Sequence, residues 1–200
     1  MSRGLGDVYK RQLTVSVNGK TAYRLKNTRF YNVIANIYTL KNGQPFLYLY
    51  APAENGDGPV CALLKYTNGK FRKILDFTEI MAGYGDHRIG EVTNLNGNKI
   101  VITESIVSYS LGINAINFTY EYVNGKFVPT SRYGSYKEIY SADGSSRYFT
   151  VNSDLPAYAR PGATAVNTTL KTGSLTKIIK CALINLSLIH ISEPTRHSLI

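Results

Sequence analysis

The stretch VCALLKYTNGKF at residues 60–71 returns as INFTYEYVNGKF at residues 116–127, with Asn-Gly-Lys-Phe closing each copy. In the second copy Ile116, Phe118 and Tyr120 alternate with polar residues, the period-two pattern of a half-buried strand. Asn-Gly is the strongest short-range signal for a two-residue hairpin, because a type I′ turn needs positive φ at both central positions. Each copy therefore predicts a β-hairpin.

Asn-Gly pairs recur along the chain and mark a repeat of about fifty residues. They begin at Asn18, Asn42, Asn55, Asn68, Asn96 and Asn124, and the first, fourth and sixth continue with Lys. Two such turns per unit predict four strands, at residues 33–40, 45–51, 59–67 and 70–76, and again at 88–95, 98–108, 113–123 and 126–130. The hairpin around Asn18 then belongs to a preceding unit. The predicted fold class is all-β, with about two and a half four-stranded propeller-like blades over residues 13–130.

A different pattern follows the repeats. Residues 131–146 are rich in Ser, Gly and Tyr and show no clear strand alternation, so they are predicted to form a linker or closing segment. Short strands are then expected at residues 147–151, 155–158, 165–170 and 175–180, separated by Pro161-Gly162 and Thr172-Gly173 turns. This spacing predicts a small β-barrel over residues 147–185, truncated at its end.

The two ends of the chain are related through their codons. One allowed choice of codons for Ser2–Gln12 has a reverse complement that translates as Leu186–Arg196, over eleven residues. The nucleotide string resembles the adapter of a sequencing library, so residues 1–12 and 186–200 are expected to be adapter translation and are excluded from fold reasoning. The remaining chain is then expected to be a fragment, from which a signal peptide would have been lost.

Composition and charge narrow the class of protein. The chain has 44% apolar and 18% charged residues, 16 Tyr and no Trp, which favours strands over helices. No run of 18 apolar residues predicts a membrane span. Without the presumed adapters the net charge falls from +10 to +8, which favours acidic partners. The basic residues are scattered, however, so no dedicated nucleic-acid site is predicted.

Sequence motifs for catalysis are absent, and the candidate residues are few. Cys61 and Cys181 lie far apart, so two isolated buried thiols are favoured, with a disulfide between them left open. His87 is expected to be a surface-loop histidine. Paired carboxylates for glycoside hydrolysis stay open, and the strand-borne candidates are Glu91, Glu104 and Glu121.

The strand, Asn-Gly-Lys-Phe, strand arrangement resembles the degenerate integrin-type or FG-GAP-like β-propeller repeats of secreted bacterial proteins. The tail, with Leu155–Tyr158, Pro161-Gly162 and the stretch LKTGSL at residues 170–175, resembles the opening of a bacterial Src-homology-3-like domain. The first resemblance covers residues 13–130 and the second residues 147–185. Together they imply an extracellular or envelope-attached protein.

In that propeller family, blade loops bind calcium through Asp-x-Asp/Asn-x-Asp-Gly. Here the candidate loop keeps Asn55 and Asp57, but Ala53 stands where the first carboxylate belongs. Because calcium needs six or more oxygen ligands, an ordinary Asn-Gly turn is favoured over a metal site, and no cofactor is predicted.

Tyrosine side chains outside the predicted core strands are the candidate ligand surface, because an aromatic ring stacks on a sugar while its hydroxyl forms hydrogen bonds. These tyrosines are Tyr109, Tyr133, Tyr136 and Tyr140. The predicted function is a non-enzymatic binding or interaction module whose partner is a cell-wall polymer, a glycan or another protein domain. The alternative is an accessory β domain of a secreted hydrolase whose catalytic part lies outside this sequence.

Overall fold

A computed structural model describes residues 11–53, 58–80, 88–108, 112–137, 148–160, 163–177 and 180–182. Its secondary structure is nearly all antiparallel β-strand, which confirms the all-β prediction. A four-residue helix, α1 (Phe77–Ile80), follows the first four-stranded sheet.

The first part of the chain forms a hairpin and a four-stranded meander. The hairpin consists of β1 (Arg11–Val17) and β2 (Lys20–Thr28). The first sheet contains β3 (Ile34–Thr39), β4 (Pro45–Ala51), β5 (Val60–Thr67) and β6 (Lys70–Asp76), hydrogen-bonded in sequence order. The four strands predicted between residues 33 and 76 are therefore confirmed to within one residue at each end.

A second meander repeats this arrangement. The second sheet contains β7 (Arg88–Asn96), β8 (Lys99–Ser108), β9 (Gly112–Val123) and β10 (Lys126–Pro129), again paired in sequence order. These bounds also agree with the predicted strands to within one residue. The repeat read from the sequence is thus present as two successive antiparallel sheets.

The three Asn-Gly turns that are followed by lysine have the backbone φ angles that a type I′ turn requires. The φ angles are 50° and 74° at Asn18-Gly19, 52° and 79° at Asn68-Gly69, and 50° and 84° at Asn124-Gly125. The Asn96 turn differs, because Asn96 pairs with Lys99 and only Gly97, with φ 64°, has positive φ. Its central residues are therefore Gly-Asn, which fits a type II′ turn with glycine first.

The hairpin and the two sheets stack face to face. One core cluster lies between the two sheets and includes Phe46 and Tyr48 of the first sheet with Ile102 and Phe118 of the second. A second cluster, centred on Leu49, Ala62 and Leu64, packs the opposite face of the first sheet against the hairpin. Both faces of β4 and β5 are consequently buried, which explains why their sequences are nearly continuous apolar runs.

An additional strand, β11 (Tyr133–Lys137), lies in the segment for which no strand was predicted, and it corrects that expectation. It pairs with the first half of β9, while β10 pairs with the second half. An ideal Cβ at Gly134 would lie 2.3 Å from Phe118 Cε1 and 2.6 Å from Ile116 Cγ2. The Gly-Ser-rich composition that hid this strand is what allows it to lie against the aromatic core.

The tail contains short strands near the predicted positions. They are β12 (Phe149–Thr150), β13 (Leu155–Tyr158), β14 (Val166–Leu170), β15 (Leu175–Thr176) and β16 (Lys180–Ala182). β12 pairs with β15, and β13 and β14, which lie between them in the sequence, pair with each other. β16 pairs with β11 and so extends the second sheet. The described strands do not close into a barrel, so the small barrel stays a prediction.

Replacing Gly134 by Ala tests the close packing of β11. We expect Gly134→Ala to lower the free energy of unfolding by about 1–3 kcal/mol, because the new methyl group overlaps the buried Phe118 ring. Urea unfolding followed by circular dichroism measures the change. Ser135→Ala, on the exposed face of the same strand, should stay within about 0.5 kcal/mol of the parent chain. Equal stability of the two variants would contradict the packing argument.

Candidate functional site

The outer face of the second sheet, which points away from the first sheet, has a row of four polar side chains, three of which are joined by hydrogen bonds. The Thr93 and Thr103 hydroxyls are 3.0 Å apart, and Thr103 Oγ1 donates to Asn117 Oδ1 at 2.7 Å. Asn117 is directly opposite Ser135 of β11, so the row crosses β7, β8, β9 and β11. We call the side chains of Thr93, Thr103, Asn117 and Ser135 the polar row.

An aromatic and a cationic side chain lie beside the polar row. Tyr133 is two residues before Ser135 in β11 and therefore points to the same face. Arg132 Nη2 donates to Tyr133 Oη at 2.6 Å, and the guanidinium carbon is 4.9 Å from the centre of the Tyr133 ring. The arrangement joins a half-buried aromatic ring, a cation and hydrogen-bonding groups on one surface.

The four candidate tyrosines do not form one surface in the described part of the chain. Tyr136 is directly opposite Ile116 and packs against the core between the sheets, on the other face from Tyr133. This placement corrects the expectation that Tyr136 lies outside the core strands, and its cause is the alternation of side chains along β11. Tyr109 and Tyr140 lie outside the described residues, as do Asn55, Asp57 and His87.

A second polar group lies inside the molecule, where the two sheets meet. Tyr48 Oη donates to the Gly90 carbonyl oxygen at 2.8 Å, and Cys61 Sγ lies 3.2 Å from the same oxygen. Cys61 is a free thiol, so the disulfide left open by the sequence is not formed. These contacts tie β4 and β5 of the first sheet to β7 of the second.

Burial sets the protonation of this cluster. Desolvation raises the pKa of the Cys61 thiol to about 11 and that of the Tyr120 phenol to about 12. Desolvation also raises the pKa of Tyr48 well above its ordinary value. All three groups therefore keep their protons at neutral pH, and Cys61 has the character of a structural thiol.

The candidate carboxylates do not converge on one site. Glu104 is fully buried on the face that meets the first sheet, and its Oε1 would lie 2.3 Å from a Cβ at Gly90. Glu91 and Glu121 are opposite Thr103 and Lys99, on the outer face. Strand alternation puts the Glu104 side chain on the same face as the core residues Ile100 and Ile102.

In the described ranges, no three His, Cys, Asp or Glu side chains are close enough together to hold a metal ion. Nor does that part of the chain contain a helix of the length and apolarity needed to cross a membrane.

The fold and surface define a class of protein in which antiparallel β-meanders, related by an internal repeat, stack on one another and present a polar outer face. No family model, curated protein or solved structure matches the chain.

Alkaline pH should weaken the packing between the sheets. The folded-state pKa of Cys61, about 11, lies above its ordinary value of 9.0, so its stabilising effect is complete below about pH 9 and is lost between about pH 9 and 11. Because one pKa unit corresponds to about 1.4 kcal/mol, the thiol accounts for a loss on the order of 2 kcal/mol. Urea unfolding at about pH 8 and about pH 10.5 measures it. Cys61→Val should show a shallower pH dependence, and equal slopes for the two chains would contradict this role for the thiol.

Proposed function

We propose that the chain is a non-enzymatic binding module of a secreted or envelope-attached bacterial protein, and that its outer face binds a glycan. In this proposal the β1–β2 hairpin and the two sheets are successive blades of a propeller-like array, and residues 147–185 belong to a Src-homology-3-like unit. Four-stranded meanders that pack face to face in sequence order support the blade arrangement. The resemblance to repeats of secreted bacterial proteins supports the location.

The observation that carries the proposal is the difference between the two sheets. The first sheet has apolar residues on both faces, as expected of a sheet between two others. The second sheet has one apolar face and one face with the polar row. Thr93 and Ser135 at the two ends of the row are exposed, Asn117 is half-buried and Thr103 is buried. The exposed hydroxyl groups match the hydrogen-bonding groups of a sugar.

Tyr133 and Arg132 supply the remaining features of a glycan site. An aromatic ring gives a flat apolar surface for the C–H groups of a sugar ring, and the phenol hydroxyl adds a hydrogen bond. Arg132 lies over that ring and holds its hydroxyl, which restricts the side chain before a ligand binds. The net charge, +10 for the whole chain and +8 without the presumed adapters, additionally favours glycans with acidic groups.

Cosedimentation with insoluble bacterial peptidoglycan, a glycan that contains carboxylates, tests the proposal. We expect the parent chain to bind and Tyr133→Ala to bind about 3- to 10-fold more weakly, because an aromatic stacking contact is worth about 0.5–1.5 kcal/mol. Circular dichroism should show that the variant remains folded.

Tyr148→Ala is the matched control, since Tyr148 also has a cation over its ring, Lys177 at 5.9 Å, but lies in the tail. Binding by this variant should equal that of the parent chain. Failure of the parent chain to bind, or equal binding by Tyr133→Ala, would contradict the proposed glycan site.

A further inference from the structure

Strand β3 has a largely exposed apolar side chain, whereas the apolar side chains of the neighbouring strand β4 are buried. Ile37 is 74% exposed, although Leu47, directly opposite it on β4, belongs to the core cluster under the hairpin. Ile34, 41% exposed, lies on the other face of β3, opposite Tyr50 of the core between the sheets. Tyr31 and Val33 just before the strand are exposed as well. An edge strand with exposed apolar side chains is a surface that other strands can cover.

Among the described residues, the layer that covers this face of the first sheet has two strands, whereas the sheet has four. The hairpin lies over β4, β5 and β6, and β2 is next to β6. On the other face of the first sheet β10 is next to β6. The final strands of each unit, β2, β6 and β10, are therefore stacked in line, and β1 corresponds to β5 and β9. No described strand corresponds to β3 and β4 in the hairpin's layer.

The free edge of β1 adjoins this uncovered area. Within the described ranges β1 pairs only with β2, and no described strand is hydrogen-bonded to its other edge. A strand added there would extend the hairpin's sheet across β4 toward β3. A second added strand would bring its side chains over Ile37, continuing the interface that Leu13 and Leu49 already form.

We propose that the β1 edge and the exposed face of β3 together bind a two-stranded antiparallel β-hairpin, the counterpart of β3–β4 in one further four-stranded unit. The bound hairpin has an apolar face toward Ile37 and hydrogen-bonds to β1. This inference rests on the blade arrangement in the proposed function, but not on the glycan site at Tyr133.

The chain itself supplies a suitable hairpin for the test. Aligning Asn18 with Asn68 places residue 11 opposite residue 61, so residues 33–60 can be fused before Arg11 in register, in place of residues 1–10. The grafted hairpin then turns its Tyr38, Phe46 and Tyr48 face toward β3, as the same face now turns toward the second sheet.

Residues 88–116 give a matched control graft, because aligning Asn18 with Asn124 places residue 11 opposite residue 117. The β7–β8 hairpin is similar in length to the β3–β4 hairpin and is likewise antiparallel. It would turn Thr93 and Thr103 toward β3, since those residues lie on its outer face.

The measurement is the rate of maleimide labelling of Ile37→Cys in the full chain and in both grafts. Leu175→Cys is the control position, because Leu175 is 72% exposed and lies in the tail. We expect the residue 33–60 graft to slow labelling at position 37 at least 10-fold and to leave position 175 unchanged. The residue 88–116 graft should slow labelling at position 37 less than 3-fold.

Unchanged labelling at position 37 in a residue 33–60 graft that is folded by circular dichroism would overturn the inference. So would concentration-dependent protection of position 37 in the ungrafted chain together with a dimer by light scattering, which would make a second copy the occupant. Peptidoglycan binding by the same proteins distinguishes the two proposals. If the residue 33–60 graft does not slow labelling at position 37 but binding still depends on Tyr133, only the hairpin proposal is refuted.

Discussion

The stacked structure depends on the close approach of the two sheets at Gly90. A Cβ at this position would lie 2.6 Å from Phe77 Cβ in α1 and 2.3 Å from Glu104 Oε1 in the paired strand β8, so glycine lets β7 lie against α1, which follows the first sheet. The same residue offers its carbonyl oxygen to Tyr48 and to Cys61 of the facing sheet. Removing these polar groups from water is compensated by hydrogen bonds that can form only while the sheets stay in contact.

This contact also explains how the buried polar groups are distributed. Tyr48, Cys61 and Tyr120 keep their protons because desolvation penalises the charged forms. Aromatic rings from both sheets surround the cluster, including Phe46 and Phe127 with centroids 5.2 Å apart. Near the ends of β5 and β9, Lys65 Nζ of the first sheet donates to Tyr122 Oη of the second at 2.7 Å, so a polar contact joins the layers there as well.

The exposed surfaces of the two sheets differ in polarity. In the described part of the chain, the outer face of the second sheet has the polar row, whereas the first sheet leaves Ile37 74% exposed beside the hairpin. Exposed apolar side chains favour burial under added strands, whereas exposed hydroxyl groups can form hydrogen bonds with a ligand. The proposed glycan site and the proposed hairpin site therefore lie on different surfaces for the same physical reason.

The sequence by itself determined the positions of the eight strands β3 to β10 and of the Asn-Gly-Lys turns. These features are local: positive φ at Asn and Gly is a property of the residue, and alternation is a property of the strand. Only the tertiary structure decided that Glu104 is buried, that Tyr133 and Tyr136 face opposite ways, and that Gly134 lies in a strand. Each of these depends on the neighbouring strand or sheet, because a side chain's burial is set by contacts between residues far apart in sequence.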